Sequence, residues 1–252
     1  MPLKIFLSGC HGRMGKVIGG IAAAAEDLCI VAGSDLAPGP DAPYPVFSDP
    51  RDCSLEFDVI IDFSNPAALP ALFELVRRRR APIVLCTTGL NAALEAEMLK
   101  LSETAPVFQS ANMSLGINLL ASLARQAAQI LYPEFDIEII EAHHNQKLDA
   151  PSGTALMLAG QVNDALSGQL HLVHDRSKLC QKREKTEIGI HAVRGGSIVG
   201  DHTVLFAGQD EIISLHHSAG SRAVFARGAV AAARFMAGRP AGLYSMKDLF
   251  GR

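Results

Sequence analysis

The sequence predicts an α/β protein in which a doubly wound, parallel-sheet domain is joined to a second, α+β domain. Three observations carry this. Short apolar strands alternate with helical stretches over the first 113 residues, a glycine-rich turn separates the first strand from the first helix, and the rhythm then shifts to longer β-like runs.

The elements follow in order. Leu3–Leu7 is a short apolar strand ending at Ser8-Gly9, and a helical pattern runs from about Gly15 to Ala25. Cys29–Ala32 is a second strand that stops at Gly33-Ser34-Asp35, followed by a Pro/Gly-rich loop from Pro38 to Pro50. Val59–Asp62, Ile83–Cys86 and Val107–Gln109 are further strands, separated by helices over Pro66–Arg79 and Asn91–Ser102. The uninterrupted apolar character of Val59-Ile-Ile suits a parallel strand covered on both faces. After residue 113 come a long helix (Leu115–Leu131), a strand (Asp136–Ala142) and a helix opening near Ser152. A charged stretch, Lys178–Glu187, precedes strand-like runs at Ile188–Val193, Ser197–Phe206 and Glu211–His217. Turn pairs Gly195-Gly196 and Gln209-Asp210 between those runs predict antiparallel meanders. The apolar helix Ala223–Met236 resembles the first half and is expected to return to it. The predicted domains are therefore 1–113 with 222–252, and 114–221.

Composition narrows the function classes. Apolar residues make up 48% and charged residues 19%, the balance of a globular chain rather than a disordered one. A net charge of −3 without a basic tail gives no reason to expect nucleic acid. The run Arg77-Arg78-Arg79-Arg80 reads as the solvated last turn of a helix, where cations complement the dipole. No apolar run is long enough for a membrane span. Five scattered cysteines, none in a C-x-x-C pair, and an N-terminus that enters a strand after three residues point to a cytoplasmic protein with reduced thiols.

Gly9-Cys10-His11-Gly12-Arg13-Met14-Gly15 lies between the first strand and the first helix. Glycines there permit a tight turn and close approach of backbone to phosphate, and the helix start offers N–H donors. The spacing is G-x-x-G-x-x-G rather than G-x-G-x-x-G, so the signal alone is moderate. It is strengthened by Asp35 at the end of the second strand, where an acid can accept from ribose hydroxyls. Leu36 and Ala37 follow it, with no arginine to receive a 2′-phosphate, which favours NADH over NADPH although Arg13 offers partial compensation. Cys86-Thr87-Thr88-Gly89 and Ser110-Ala111-Asn112-Met113 end strands on the same edge and are candidates for the nicotinamide side.

The second constellation is Glu141-Ala-His143-His144-Asn-Gln-Lys147-Leu-Asp-Ala-Pro-Ser152-Gly153-Thr154. Adjacent histidines on a strand point to opposite faces, so at most one does the chemistry. Lys147 can clamp a carboxylate and donate a proton. Ser152, Gly153 and Thr154 follow Pro151 at a helix start, whose N–H groups suit a carboxylate. His191, His202, His216 and His217 are the candidates for a metal, but no H-x-x-x-H or H-E-x-x-H spacing occurs and Lys147 would repel an ion; none is expected.

These motifs resemble the dihydrodipicolinate reductase (4-hydroxy-tetrahydrodipicolinate reductase) family across most of the chain. The matching residues are Gly12-Arg-Met-Gly15, Asp62-Phe-Ser64, Thr87-Thr-Gly89, Ala111-Asn112, Glu141-Ala-His-His144 with Lys147, and Asp149-Ala-Pro-Ser-Gly-Thr-Ala155. Val193-Arg194, Ile198-Val-Gly200 and His202-Thr203 continue the series. The resemblance implies a Rossmann-like nucleotide domain, a mixed-sheet domain for substrate binding and oligomerisation, and a homotetramer. It implies NAD(P)H-dependent reduction of a cyclic dicarboxylate, 4-hydroxy-tetrahydrodipicolinate, to tetrahydrodipicolinate with loss of water, in lysine and diaminopimelate biosynthesis. His143 would be proton donor/acceptor and Lys147 proton donor, with His144, Gly153 and Thr154 on the substrate. Gly9 to Met14, Asp35, Cys86 to Thr88 and Ser110 to Met113 would contact the cofactor. Cys86 stands where the family usually has glycine, and Met113 where it often has an aromatic. Two rival readings are an aspartate-semialdehyde type of dehydrogenase, with Cys86 as nucleophile, and a non-catalytic dinucleotide sensor.

Overall fold

The computed structural model describes residues 1–36, 42–110 and 112–251. In chain order the elements begin β1 (Leu3–Ser8), α1 (Arg13–Ala23), β2 (Leu28–Ser34), β3 (Val46–Phe47), β4 (Val59–Asp62), α2 (Leu69–Arg79), β5 (Ile83–Leu85), α3 (Ala92–Ser102) and β6 (Pro106–Gln109). They continue with α4 (Leu115–Leu131), β7 (Asp136–His143), α5 (Gly153–Ala165), β8 (His171–Val173), β9 (Glu187–Arg194), β10 (Asp201–Ala207) and β11 (Ile212–Ser218). The chain closes with α6 (Ala223–Met236), β12 (Gly242–Tyr244) and α7 (Met246–Leu249). Two compact units result, residues 1–114 with 223–252, and residues 115–222.

In the first unit the described residues form a parallel sheet in the order β12-β6-β5-β4-β1-β2-β3. Helices α2 and α3 cover one face through Leu72, Phe73, Leu75 and Leu101, packed with Phe6, Ile60, Ile83 and Val107. Helices α1 and α6 pack together on the other face, with α6 lying along β4 and β5. Gly228 of α6 allows the closest approach, since a Cβ there would stand 1.6 Å from the Met113 carbonyl oxygen. Sequence order reverses between β1 and β4, the point at which an open sheet of this kind leaves a crevice at its carboxyl edge. Asn91 caps α3, its side-chain oxygen accepting the Leu94 N–H at 2.9 Å. The arginine run is more engaged than a merely solvated turn: Arg77 pairs with Glu97, Arg79 with Glu56, and Arg78 donates to the Arg51 carbonyl.

In the second unit the described sheet has the order β11-β10-β7-β9-β8. Strands β7, β9 and β8 run parallel, whereas β10 is antiparallel to both of its neighbours, β7 and β11, which makes the sheet mixed. Ile137, Ile139, Ile188, Ile190, Val204 and Phe206 form its inner face against α4 and α5. The β10–β11 hairpin agrees with the Gln209-Asp210 turn signal. The meander expected at Gly195-Gly196 does not form. β9 lies parallel to β7 and does not pair with β10, so residues 195–200 pass over the carboxyl end of β7 instead. There the Gly195 N–H donates to the His143 carbonyl at 2.9 Å, and the Asn145 N–H to the Gly196 carbonyl at 3.2 Å. A glycine pair allows a two-residue hairpin but does not require one. Here the ladder places on β9 were taken by the central strand β7. The charged stretch before β9 is held by Arg183, which bonds to Asp136, Glu138 and the Ile137 and Glu187 carbonyls.

Strands β3, β8 and β12, three residues or fewer in length, carry too little pattern to be read from sequence. Among the described residues no helix is long and apolar enough to cross a membrane.

Candidate active site

The phosphate turn of the first unit is shaped by contacts that only glycine tolerates. Gly9 has φ of +76°, and a Cβ on it would lie 2.5 Å from the Phe63 carbonyl oxygen; one on Gly15 would lie 2.3 Å from the Gly9 carbonyl oxygen. Gly12 is the N-cap of α1 and offers no side-chain cap, which leaves the first-turn N–H groups to an anion. The Asp35 carboxylate accepts the His11 N–H at 2.9 Å, fastening the turn to the end of β2. Gly9, Gly12, Asp35, Phe63 and Ser64 line a cleft of about 230 Å³. This set of donors, glycine contacts and one acid fits a dinucleotide.

The remaining candidates in this unit divide by the direction of their side chains. Arg13 is exposed and Met14 half-buried at the start of α1. Cys10 is buried, its thiol pushed up to about 11 by burial and by Asp35, so only its backbone is available to a ligand. Cys86 is likewise buried, with its thiol turned back toward the Val84 carbonyl and driven well above its ordinary value by burial. A thiol in that state is no nucleophile. Thr87 is buried against Asp62, whereas Thr88 is exposed. The Ser110 hydroxyl bonds to the Asn112 carbonyl, and the Asn112 side chain accepts the Ser114 N–H at 2.8 Å. Met113 is buried. Ala111 lies outside the described residues.

In the second unit the candidates gather at the carboxyl end of β7, on the face that the helices cover further down. Glu141 and His143, two apart on a strand, point the same way. Glu141 is 0% exposed and His143 9%. Glu141 accepts four bonds: from His143 Nδ1 at 2.6 Å, the Ser152 N–H at 3.0 Å, and the two Arg194 amino groups at 2.8 and 2.7 Å. Burial works to raise this carboxyl, but the Arg194 fork, His143 and the Ser152 N–H outweigh it and hold it below 4.5. An ionised Glu141 requires the proton of neutral His143 to sit on Nδ1, so Nε2 is the nitrogen free to exchange protons. A side chain at Gly200 would come within 3.0 Å of that nitrogen, and glycine leaves the space open.

His144 begins the following turn, half-exposed, its carbonyl accepting the Lys147 N–H. The Lys147 ammonium pairs with Asp149 at 2.8 Å. Ser152 departs from the expectation that its N–H serves a ligand: that group is held by Glu141, while its hydroxyl accepts the Ala155 N–H and bonds His202 Nε2 at 3.1 Å. Gly153 and Thr154 provide the first-turn N–H groups of α5.

Three residues of this cluster were not recognised as site residues from sequence: Glu141, Arg194 and His202. For Glu141 the signal existed, an acid two positions before the histidine. For Arg194 and His202 the only signal was their place in the family-like motifs, which gave neither a role beside Glu141, because each reaches β7 only through sheet register, His143 opposite Arg194 and Glu141 opposite His202. The His202 ring stands edge-on to His143 with centroids 5.1 Å apart. His191 and His216 lie on the opposite face, bonded to Glu138 and Thr203, so the four histidines do not gather. Elsewhere His171, Glu184 and Glu187 lie close together, but Arg176 already pairs with Glu187.

Comparison with known proteins follows the same division. Family models for the N-terminus and the C-terminus of dihydrodipicolinate reductase match residues 3–113 and 116–250. A Clostridium botulinum protein named 4-hydroxy-tetrahydrodipicolinate reductase is 50% identical over 250 residues, 99% of this chain and 98% of the relative. One of the same name from Caldanaerobacter subterraneus is 47% identical over 249 residues, 99% and 98% of the two chains. A solved dihydrodipicolinate reductase from Paenisporosarcina sp. TG-14, with dipicolinate bound, superposes with a TM-score of 0.80 at 25% identity, covering 97% and 98% of the chains. The DAP dehydrogenase of C. glutamicum shares the fold alone, at a TM-score of 0.55 and 15% identity over 97% of this chain and 92% of its own.

The cluster around Glu141 makes the second unit acid-sensitive. Burial lowers His202 from the ordinary 6.5 to about 4, with the neighbouring His143 adding to the effect. Its contribution to stability is therefore complete above pH 6.5 and is lost as pH falls toward 4, where the unfolded chain binds the proton first. Glu141, held below 4.5, acts in the same direction at lower pH. Thermal unfolding between pH 7 and 4 is expected to show a loss on the order of 2 kcal/mol that His202→Gln removes. Equal pH slopes in the two proteins would exclude His202 as the source.

Proposed function

The chain belongs to the dihydrodipicolinate reductase family, and from that premise we propose that it reduces 4-hydroxy-tetrahydrodipicolinate to tetrahydrodipicolinate, with loss of water, in lysine and diaminopimelate biosynthesis. It is an NAD(P)H-dependent oxidoreductase. The first unit is the dinucleotide-binding domain and the second the substrate-binding domain, with boundaries at 114/115 and 222/223.

A bound nicotinamide would supply a hydride to carbon 4 of the ring, counting the nitrogen as 1. The protein must hold two carboxylates and move a proton to the neighbouring carbon. The observation that carries this reading is the buried Glu141 carboxylate, which fixes the His143 tautomer and leaves Nε2 for the proton. Lys147 is a second proton donor. Its ion pair with Asp149 is exchangeable for a substrate carboxylate of the same charge. The first-turn N–H groups of Gly153 and Thr154, with His144, take a carboxylate. Ser152 contributes by holding that helix start rather than by direct contact.

NADH is the preferred cofactor. Asp35 is followed by Leu36, and a 2′-phosphate beside that carboxylate meets like charge. The aspartate-semialdehyde type of mechanism has no support here, since its only candidate nucleophile, Cys86, is buried and protonated. Assembly as a homotetramer is supported by the sheet face opposite α4 and α5, where Ile140 of β7 and Val193 of the adjacent β9 are exposed. A cytoplasmic location agrees with five free cysteines.

The activity is tested by nucleotide oxidation with substrate made freshly from pyruvate and aspartate semialdehyde. His143→Gln and Lys147→Ala are each expected to lower kcat about a hundred- to ten-thousand-fold with NADH binding intact; full activity in either variant would overturn its role. The kcat/KM with NADH is expected to exceed that with NADPH, and equality or reversal refutes the preference. Sedimentation equilibrium is expected to give four times the 26.8 kDa chain mass, and a monomer or dimer mass contradicts the tetramer.

A further inference from the structure

We infer that Asp62 is a positioning residue for the dinucleotide: it locks the turns at Ser64 and Thr87 and commits the Ser64 hydroxyl to accept from a ribose hydroxyl. The inference rests on the nucleotide reading of the first unit.

Asp62 ends β4, in register with Ser8 of β1 and Leu85 of β5, at the point where strand order reverses. It is 0% exposed. One carboxylate oxygen accepts the Ser64 N–H at 3.2 Å and the Ser64 hydroxyl at 2.6 Å; the other accepts the Thr87 hydroxyl at 2.6 Å. The Ser8 hydroxyl adds a further bond, and burial raises the carboxyl while these donors oppose it. The donors to Asp62 are hydroxyls and an amide rather than a cation, and they come from three neighbouring strand ends. A buried acid in the sheet interior is costly unless its bonds are satisfied. Here the bonds that satisfy it also tie β1, β4 and β5 together at the crevice.

The direction of those bonds matters as much as their number. A serine hydroxyl has one hydrogen, and the Ser64 hydroxyl lies 2.6 Å from the same Asp62 oxygen that accepts the Ser64 N–H, which marks this oxygen as an acceptor. What Ser64 offers the cleft is therefore an acceptor. It lines the cleft with Gly9, Gly12 and Asp35, and its Cα lies 3.0 Å from where a Gly9 Cβ would stand, hard against the phosphate turn. Acceptors at Ser64 and Asp35 suit ribose hydroxyls and disfavour phosphate, which the N–H groups at the start of α1 serve instead. Removing the acceptor at position 62 altogether would free the Ser64 hydroxyl to donate into the cleft; asparagine would not, because its oxygen can still face the two Ser64 donors while its NH2 faces the Thr87 oxygen.

The test uses Asp62→Leu, Ser64→Ala, their double variant and Thr87→Val in the full chain, with NADH affinity measured by fluorescence titration and KM measured for both substrates. Asp62→Leu is expected to raise the NADH Kd and KM about tenfold, with the dicarboxylate KM near wild type. Ser64→Ala should cost a similar factor alone and less than about twofold in the Asp62→Leu background, the signature of one shared interaction. Thr87→Val should weaken NADH about threefold. An unchanged NADH Kd in Asp62→Leu, equal losses for nucleotide and dicarboxylate, or independent multiplication of the two effects would overturn the role. If Asp62→Leu does not fold, an unchanged Kd in Ser64→Ala and Thr87→Val overturns it equally. Failure of the wild-type protein to bind either NADH or NADPH removes the nucleotide reading and this inference together, whereas normal binding in all variants removes only the inference.

Discussion

The second unit depends on keeping one carboxylate ionised where no water reaches it. Glu141 is fully buried, and an unpaired charge there would cost several kcal/mol. Its compensation arrives from three directions: the Arg194 fork from β9, His143 from its own strand and the Ser152 N–H from the start of α5. Removing any one leaves the others around an under-compensated charge. The same bonds that stabilise the acid set the histidine tautomer and fix the helix start. Stability and chemistry are therefore not separable at this point of the fold.

That constraint explains the strand arrangement. Arg194 lies opposite His143 because β9 runs parallel to β7 and beside it. An antiparallel meander through Gly195-Gly196 would have placed β10 in that position and sent Arg194 elsewhere. The crossing segment 195–200 also closes over the end of β7 and brings Gly200 to His143. The irregular connection is what completes the cluster.

The first unit uses carboxylates in a related way, at strand ends and with the backbone as partner. Asp35 holds the phosphate turn through the His11 N–H, and Asp62 joins the turns after β4 and β5. Among the described residues neither acid pairs with an arginine or lysine. Short hydroxyl and amide bonds do the work, and they impose direction as well as position. The thiols follow the opposite logic. Cys10 and Cys86 are buried, raised and turned inward, so cysteines that stand in the motifs contribute packing and backbone rather than reactivity.

Much of this was legible in the sequence, and the boundary between what was and was not is physical. Local pattern determined the alternation of β1 to β6 with α1 to α3, the glycine turn, Asp35 at its strand end and the histidine–lysine segment before a helix start, because each depends on residues within a few positions of one another. Glu141 belonged to the same class, since the two-residue period of a strand puts it beside His143. Tertiary structure alone decided which strand lies next to β7, and with it Arg194 and His202, which are about 50 and 60 residues away from Glu141 in sequence. It also decided that Ser152 is spent on Glu141 and that Cys86 is closed to chemistry. Sheet register and burial are properties of the assembled fold, where distant segments compete for the same ladder positions and the same space. A one-dimensional pattern records what a residue can do; packing decides which neighbour it does it with.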